Sequence, residues 1–210
     1  MRIILLGAPG AGKGTQAENI SKRLSIPIIS TGNILREAIA DNTVLGKKAK
    51  IFIDEGALVP DDLIISILKE RLMQSDCDDG FVLDGVPRTI AQADALTEMD
   101  IEPDRVISIE IDDETVVRRL AGRRICLDCG LTYHIDDKPP KKDELCDTCG
   151  KELHIREDDV VDTIRNRLAV FHEQTEPLKQ YYKKLGKLRM VYSQELVEDT
   201  TRNTYAALEA

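Results

Sequence analysis

A glycine-rich stretch near the N-terminus constrains the possible folds of this chain more than any other feature. The sequence GAPGAGKGT at residues 7–15 follows an apolar run at residues 3–6 and precedes a helical pattern. Glycines allow a tight turn whose N–H groups point inward, and Lys13 stands where the helix begins. Inward N–H groups, a helix N-terminus and one ammonium group form a cradle for a polyphosphate. A bare glycine turn would not explain this order of strand, loop, lysine and helix.

One position of the loop departs from the common pattern. A Ser or Thr usually follows the lysine directly and ligates Mg²⁺. Here Gly14 follows Lys13, and the hydroxyl residue is Thr15. We therefore expect a nucleoside triphosphate in the cradle, with its magnesium held in a different way.

Apolar strands alternate with helical patterns along the chain, which predicts an α/β fold with a five-stranded parallel sheet wrapped by helices. Ligands on such sheets bind at the carboxyl ends of the strands. Gly7, Thr31 and Asp84 each lie at or just after a strand end, so they are expected to line one crevice. The predicted strands are residues 1–6, 27–30, 81–84, 106–111 and 188–192.

The helical patterns between the strands include two segments that the sheet does not need. The first, residues 30–59, is a pair of helices with a hydroxyl cap at Ser30, and we call it the helical insert. The second, residues 122–159, is polar and rich in turns, and we call it the cysteine lid. After the lid, Asp158 or Asp159 is predicted to cap a long helix that reaches about residue 184 and bends at Pro177. The core domain would comprise residues 1–29, 60–121 and 160–210.

Composition limits the function classes. Of 210 residues 42% are hydrophobic, and the formal net charge is −9. No apolar run approaches the roughly 18 residues of a membrane span, and the run at 3–6 is too short for a secretory signal. These features predict a soluble cytoplasmic protein, and the lack of an obvious exposed apolar face favours a monomer. The negative charge argues against a nucleic-acid surface, so a phosphate ligand needs a local cluster of arginines.

Four of the five cysteines form two pairs. Cys126 and Cys129 are separated by two residues, as are Cys146 and Cys149, and 16 residues lie between the pairs. This spacing is typical of a structural Zn²⁺ site with four thiolates and no open position for catalysis; free thiols or a redox pair are the alternatives. The fifth, Cys77, fits a small buried side chain.

The cysteine lid is acidic, which bears on its function. Residues 123–159 contain ten acidic and seven basic residues, so the segment is a poor nucleic-acid surface. Six arginines nevertheless flank the predicted crevice. Any one of them could be a solvated surface residue, but together they suit bidentate phosphate recognition. They are Arg36, Arg88, Arg119, Arg123, Arg156 and Arg167.

Two further polar residues are candidates for the site. Asp84 ends an apolar strand and would hold Mg²⁺ through its water shell, or else cap a turn. Gln92 lies one helical turn after Arg88, and a carboxamide matches the donor and acceptor of an adenine edge.

Several motifs together resemble the adenylate kinase family, in its long form with a zinc-binding lid. They are GAPGAGKGTQA (7–17), ISTGNILR (29–36), GALVPDD (56–62), FVLDGVPRT (81–89), RRLAGRRIC (118–126) and HIREDD (154–159), spread along the chain in the family's order. The resemblance implies a P-loop NTPase fold, structural Zn²⁺, Mg²⁺ with ATP, and the reversible reaction of MgATP with AMP to give two ADP.

The resemblance also implies roles for individual residues. The implied ATP-binding residues are Gly10, Ala11, Gly12, Lys13, Gly14, Thr15, Arg119, Arg123, Thr132, Tyr133 and, through a backbone carbonyl, Glu195. The implied AMP-binding residues are Thr31, Arg36, Ala57, Leu58, Val59, Gly85, Val86, Pro87, Arg88, Gln92, Arg156 and Arg167. Lys13, Arg88, Arg123, Arg156 and Arg167 would stabilise the transferred phosphoryl group.

Three positions differ from the family's usual pattern. Asn33 replaces an aspartate near the expected magnesium shell, Val86 replaces a phenylalanine, and Tyr192-Ser193 replaces an acid or amide followed by glycine. Two other functions stay open at this stage. One is a nucleoside monophosphate kinase with another acceptor, and the other is a zinc-ribbon nucleic-acid binder with a regulatory nucleotide loop.

Overall fold

The central element is a parallel sheet of five strands. The structure, a computed structural model, describes residues 1–210. The five strands are β1 (Arg2–Gly7), β2 (Ile28–Ser30), β3 (Phe81–Asp84), β4 (Arg105–Glu110) and β8 (Leu188–Tyr192). Their order in the sheet is β2-β3-β1-β4-β8. All of their pairings are parallel, as the alternation of strands and helices predicted.

Helices cover both faces of this sheet. Strand β1 supplies Ile4 and Leu6 to one apolar cluster and Ile3 and Leu5 to another, because successive side chains of a strand point to opposite faces. The helices are α1 (Lys13–Leu24), α2 (Thr31–Ala40), α3 (Val44–Glu55), α4 (Asp61–Leu72), α5 (Ile90–Glu98), α6 (Asp113–Ala121), α7 (Val161–Val170), α8 (Pro177–Lys184) and α9 (Val197–Glu209). None of them combines the length and the apolar character needed to span a bilayer.

Hydroxyl and carboxylate caps explain where several helices begin. The Ser30 side chain accepts a hydrogen bond from the Asn33 N–H at the start of α2, and Thr43 caps α3 in the same way. Thr89 caps α5 and Asp112 caps α6. The helical insert is thus two short helices, as predicted, with the break between them at Asp41 to Thr43.

The cysteine lid contains its own antiparallel sheet. The strands β5 (Arg123–Cys126), β6 (Thr132–His134) and β7 (Leu153–His154) have the order β6-β5-β7. The apolar cluster of the lid contains only Cys126, Tyr133, Cys146 and Leu153 among buried residues. So small a cluster indicates that cross-links must hold the lid together.

The chain after the lid differs from the sequence prediction. Neither Asp158 nor Asp159 caps a helix: both lie in a 3₁₀ turn, Glu157–Asp159, and α7 begins at Val161 without a side-chain cap. The predicted long helix is interrupted by a π-turn, Phe171–Thr175. Pro177 then occupies the first turn of α8, where its missing N–H is tolerated.

Candidate functional site

A deep cavity lies at the carboxyl ends of β1 and β3, between the glycine loop, the helical insert and the cysteine lid. Most of the residues predicted for the site line it. They are Gly10, Ala11, Gly12, Lys13, Gly14, Thr15, Arg36, Leu58, Asp84, Gly85, Pro87, Arg88, Arg119, Arg123, Thr132, Tyr133, Arg156, Arg167 and Glu195. The structure does not bring Thr31, Ala57, Val59, Val86 or Gln92 into the lining of this cavity.

The glycine loop makes the tight turn that the sequence predicts. Gly7, Gly10 and Gly12 have φ values of 144°, 75° and 98°, which side chains rarely tolerate. A Cβ on Gly7 would lie 2.6 Å from the Ile109 carbonyl oxygen. The Lys13 ammonium donates hydrogen bonds to the carbonyl oxygens of Gly7 (2.7 Å) and Ala8 (2.8 Å), so it is held across the loop. Burial lowers the pKa of Lys13 to about 8.

Asp84 lies opposite the start of α1. A Cβ on Gly14 would lie 3.7 Å from its Oδ2 atom, so the carboxylate faces the loop directly after Lys13. The negative charge of Asp84 opposes the effect of burial on the pKa of Lys13. A carboxylate in this place, beside a phosphate cradle, can hold a hydrated cation.

Two aspartates that sequence reasoning treated as helix caps lie among the arginines instead. The Asp159 carboxylate, whose side chain is fully buried, accepts hydrogen bonds from Arg123 Nε (2.7 Å) and Nη2 (2.5 Å). Arg167 Nη1 lies 2.7 Å from Asp158 Oδ2 and 3.2 Å from Asp159 Oδ1. Burial alone would raise the pKa of Asp158, but Arg167 and Arg123 outweigh it and lower that pKa. The two carboxylates therefore hold these arginines in place before any anion arrives.

Arg156 differs from its neighbours because it has no such partner. Its Nε atom is buried without a hydrogen bond, and its guanidinium lies near Arg123 and Arg36. Burial and these neighbours lower the pKa of Arg156, yet a guanidinium stays protonated at neutral pH. A multivalent anion such as a phosphate chain strongly stabilises a desolvated cation that is surrounded by other cations.

The side of the cavity next to the helical insert contains Arg36 and Arg88. Arg36 Nη2 donates to the Asn33 side-chain oxygen (2.6 Å), and Arg88 Nε donates to the Gly85 carbonyl (2.8 Å). Burial lowers the pKa of Arg36 to about 10 and also lowers that of Arg88. The Thr31 hydroxyl donates to the same Gly85 carbonyl (3.1 Å), so it shapes the cavity wall without lining the cavity.

Gln92 is buried, and its carboxamide is already paired. Its oxygen accepts the Arg88 N–H (2.7 Å), and its Nε2 donates to Asp61 Oδ1 (2.7 Å). Asp61 Oδ2 also accepts the Thr89 hydroxyl (2.9 Å). In this structure, therefore, Gln92 fixes the backbone of Arg88.

The opposite side of the cavity is covered by the cysteine lid. Arg119 donates to the Ser193 hydroxyl (2.9 Å) and the Gln194 carbonyl (3.1 Å), just before Glu195. Lys138 at the tip of the lid lies 3.6 Å from Glu18 on α1, and Asp137 lies 3.8 Å from Arg119. The lid therefore lies over the glycine loop and covers part of the cavity.

The four paired cysteines form a potential metal site away from the cavity. Their Sγ atoms all lie within 4.8 Å of one another, with closest separations of 3.3, 3.5 and 3.8 Å. A tetrahedral site with metal–sulfur bonds of about 2.3 Å requires separations of about 3.8 Å, so the four thiols fit such a metal. The separations are too long for a disulfide, which is about 2.05 Å.

Tyr133 links the metal site to the cavity. The residue lines the cavity, while its hydroxyl accepts the Asp147 N–H (2.9 Å) and lies 3.5 Å from Cys146 Sγ. The hydrogen bond from Tyr133 lowers the pKa of the Cys146 thiol, which favours the thiolate that a metal needs, whereas burial raises the pKa of the Cys129 thiol.

Comparison with known proteins identifies the family that this geometry resembles. A sequence model described as adenylate kinase matches residues 5–187. A protein of Caldicellulosiruptor bescii named adenylate kinase is 55% identical over 212 residues, covering 99% of both chains. Proteins of the same name from Acetivibrio thermocellus and Archaeoglobus fulgidus are each 50% identical, covering 99% and 100% of this chain and 98% of their own.

Proposed function

The chain belongs to the adenylate kinase family, and from this membership we propose that it transfers a phosphoryl group reversibly from MgATP to AMP, giving two ADP. One observation carries the proposal beyond the family name. Two lysines and six arginines line a single cavity next to a glycine loop, namely Lys13, Lys138, Arg36, Arg88, Arg119, Arg123, Arg156 and Arg167. So many cations in one partly closed cavity suit two phosphate chains facing each other.

The reaction needs positioning and charge neutralisation rather than acid–base chemistry. The second pKa of a phosphate monoester is about 6, so the AMP phosphate is an anionic nucleophile near neutral pH. It attacks the terminal phosphorus of ATP in line with the departing ADP, and no protein general base takes part. Closure of the cysteine lid keeps out water, which would otherwise accept the phosphoryl group.

We assign the donor side of the cavity to ATP. Lys13 and the loop from Gly10 to Thr15 bind its phosphates, Arg119 packs on its adenine, and Arg123 contacts its phosphates. Thr132 and Tyr133 supply lid contacts, and a backbone carbonyl near Glu195 supplies the last one. This assignment is supported by the loop residues Gly10 to Thr15, which all line the cavity, and by the contact of the lid residue Lys138 with Glu18 on α1.

We assign the side next to the helical insert to AMP. Arg36 and Arg88 orient its phosphate, and Arg156 and Arg167 bridge the two phosphate chains. The other assigned residues are Thr31, Ala57, Leu58, Val59, Gly85, Val86, Pro87 and Gln92. Because Gln92 is paired with Arg88 and Asp61 in this structure, reading of the adenine edge requires that it exchange a partner.

Two metals complete the proposal. Zn²⁺ in the four-cysteine site would fold the cysteine lid, because all four positions are occupied by thiolates and none is left for chemistry. Mg²⁺, held through water near Asp84, would neutralise charge on the ATP phosphates when bound. The missing hydroxyl at Gly14 and the amide at Asn33 are compatible with a cation held mainly by water and phosphate oxygens.

We also propose a monomer that acts in the cytoplasm. Lys13 and the six arginines of the cavity all belong to one chain, as a monomeric enzyme requires. A site of four thiolates suits a reducing compartment.

The direct test measures phosphoryl transfer from MgATP to AMP, UMP, CMP and GMP under identical conditions. We expect AMP to be the preferred acceptor, with equimolar ADP appearing from both nucleotides. Faster transfer to another monophosphate would overturn the assignment of the acceptor, and no transfer to any of them would overturn the reaction.

A further inference from the structure

The π-turn at Phe171–Thr175 interrupts an otherwise regular helix directly behind the cavity. Within it the Glu176 N–H donates to the Phe171 carbonyl five residues earlier (2.8 Å). π-turns are rare and are frequent at functional sites. Part of the reason here is local, since Pro177 has no N–H with which to continue the α-helical pattern. The proline does not explain why residues of this turn line the cavity.

Thr175, the last residue of the π-turn, contacts Arg88. Thr175 is 93% buried, with a relative exposure of 7%, and it lines the cavity. Its hydroxyl donates a hydrogen bond to the Arg88 carbonyl (2.8 Å), across 87 residues of sequence. The Arg88 N–H is bound by Gln92, and its Nε by the Gly85 carbonyl. Arg88 is therefore held at three points, and Thr175 is the one that comes from outside its own loop and helix.

The π-turn accounts for the direction of Thr175. In an uninterrupted α-helix, each residue rotates the side-chain direction by about 100° around the helix axis. Thr175 follows Arg167 by eight residues, so the two side chains would point about 80° apart around that axis. A π-turn contains one additional residue, so eight residues rotate the side-chain direction by about as much as seven residues of a regular α-helix. The angle between the Arg167 and Thr175 side chains around the helix axis then falls to about 20°. Arg167, Phe171 and Thr175 accordingly all line the cavity.

We propose that Thr175 is a positioning residue for the acceptor side of the site, and that the π-turn orients it so that one helix places Arg167 directly and Arg88 through its carbonyl. The inference rests on the proposed role of Arg88 in binding the acceptor phosphate. The hydrogen bond from Thr175 to the Arg88 carbonyl should therefore affect the affinity for AMP and not the affinity for ATP.

The test compares Thr175→Val, which keeps the shape but loses the donor, with Thr175→Ser, which keeps the donor. A net hydrogen bond corresponds to about a two- to tenfold effect. We therefore expect Thr175→Val to lower kcat/KM for AMP by about three- to tenfold while KM for ATP changes by less than about 1.5-fold. Thr175→Ser is expected to recover most of the loss. Thr175→Ala makes the same test if the valine variant does not fold.

A matched control separates positioning from stability. Thr204 is fully buried in α9 and does not line the cavity. Its hydroxyl donates to the carbonyl of Thr200 (2.8 Å), which lines the cavity beside Gln194, on the side assigned to ATP. Thr204→Val should lower the melting temperature to a similar extent without a selective loss for AMP. Equal kinetic behaviour of Thr175→Val and Thr204→Val would overturn the proposal.

A double-mutant cycle identifies the route of the effect. If Thr175 acts through Arg88, Thr175→Val has no further effect on AMP kinetics in an Arg88→Ala background. The same loss in both backgrounds would overturn the inference. If Arg88→Ala alone leaves AMP kinetics unchanged, the proposed role of Arg88 fails and the inference fails with it. If only Thr175→Val is without effect, the proposed function stands and the inference alone is wrong.

Discussion

The helical insert and the cysteine lid flank the same cavity but are stabilised in different ways. Leu35, Ala49 and Val59 of the helical insert belong to a cluster of 17 buried residues that also includes side chains of β1 and β3. The lid has a separate cluster of four, two of them cysteines. The insert is thus an extension of the core, whereas the lid is a small unit of its own.

This difference indicates how each segment can move. A segment whose apolar side chains are shared with the core keeps its internal structure only while the core is intact. A segment held by a metal keeps its structure whether or not it touches the core. With a metal in the four-cysteine site, we expect the lid to open as a rigid body, since Lys138 with Glu18 on α1 and Asp137 with Arg119 on α6 are polar contacts that water can replace.

Metal removal is the change that we expect to alter the stability of the lid most, relative to that of the helical insert. Structural zinc contributes roughly 10–16 kcal/mol in zinc-finger peptides, far more than the lid's own apolar cluster. A strong chelator, or Cys126→Ser, is expected to reduce amide exchange protection in residues 122–159 and to lower Tm. Protection in the helical insert should persist, and activity should not be abolished at low temperature, where the lid can still fold against the core. Complete loss of activity with the lid still protected would refute a purely structural metal.

Truncation of one leucine in each segment should give different losses. Leu35→Ala removes a side chain from the core cluster and is expected to reduce the free energy of unfolding of the whole chain by about 2–5 kcal/mol. Leu153→Ala affects only the lid cluster, so the global denaturant midpoint should change little while metal release to a chelator accelerates. Equal shifts of the midpoint in the two variants would mean that the lid shares the core's cooperativity.

The pH dependence of kcat/KM for ATP should follow the ionisation of Lys13, which lies in the cavity between the two segments. The pKa of this ammonium is lowered to about 8 by burial, so the free enzyme loses the charge as pH rises through that value. kcat/KM for ATP is expected to fall above that pKa, approaching about tenfold per pH unit. The arginines keep their charge throughout. Lys13→Arg should flatten the profile between pH 7 and pH 9, and an unchanged profile in that variant would assign the pH dependence to another group.

The smallest effect is expected outside both segments, at His172. A hydrogen bond to Glu176 and a second one to Asp113 raise the pKa of this imidazole above its ordinary value. Its contribution to stability is therefore complete below pH about 6.5 and is lost as pH rises through the raised pKa. Because the side chain is 45% exposed, the effect is small. His172→Gln should remove this part of the pH dependence of Tm, and neither segment's exchange protection should change.

The sequence predicted the sheet, the glycine loop and the four-cysteine cluster because each is a local pattern. Apolar runs of four to six residues marked the strands, and paired cysteines two residues apart marked the metal site. The placement of Asp158 and Asp159 could not be predicted in this way, because their partners Arg123 and Arg167 are distant or lie on another element. The run of acids next to Arg156 was the one available signal.

The π-turn and the pairing of Gln92 also depend on tertiary contacts. Pro177 indicated a disturbance of the helix but not its form, and nothing in the sequence links Thr175 to the Arg88 carbonyl, 87 residues away. Gln92 was a candidate for adenine because of its side-chain chemistry alone. Its burial against Asp61 follows from the packing of α4 on α5, which the helical periodicity of neither segment reveals.

The central claim is that one cavity holds a donor and an acceptor nucleotide, with Arg88 binding the acceptor phosphate. The most direct test is kcat/KM for AMP in Arg88→Ala, with folding checked by circular dichroism and Tm. Loss of one preorganised cation from the transferred phosphoryl group predicts a fall of at least about a hundredfold with the fold retained. A value near that of the unmodified enzyme, in a folded variant, would contradict the account.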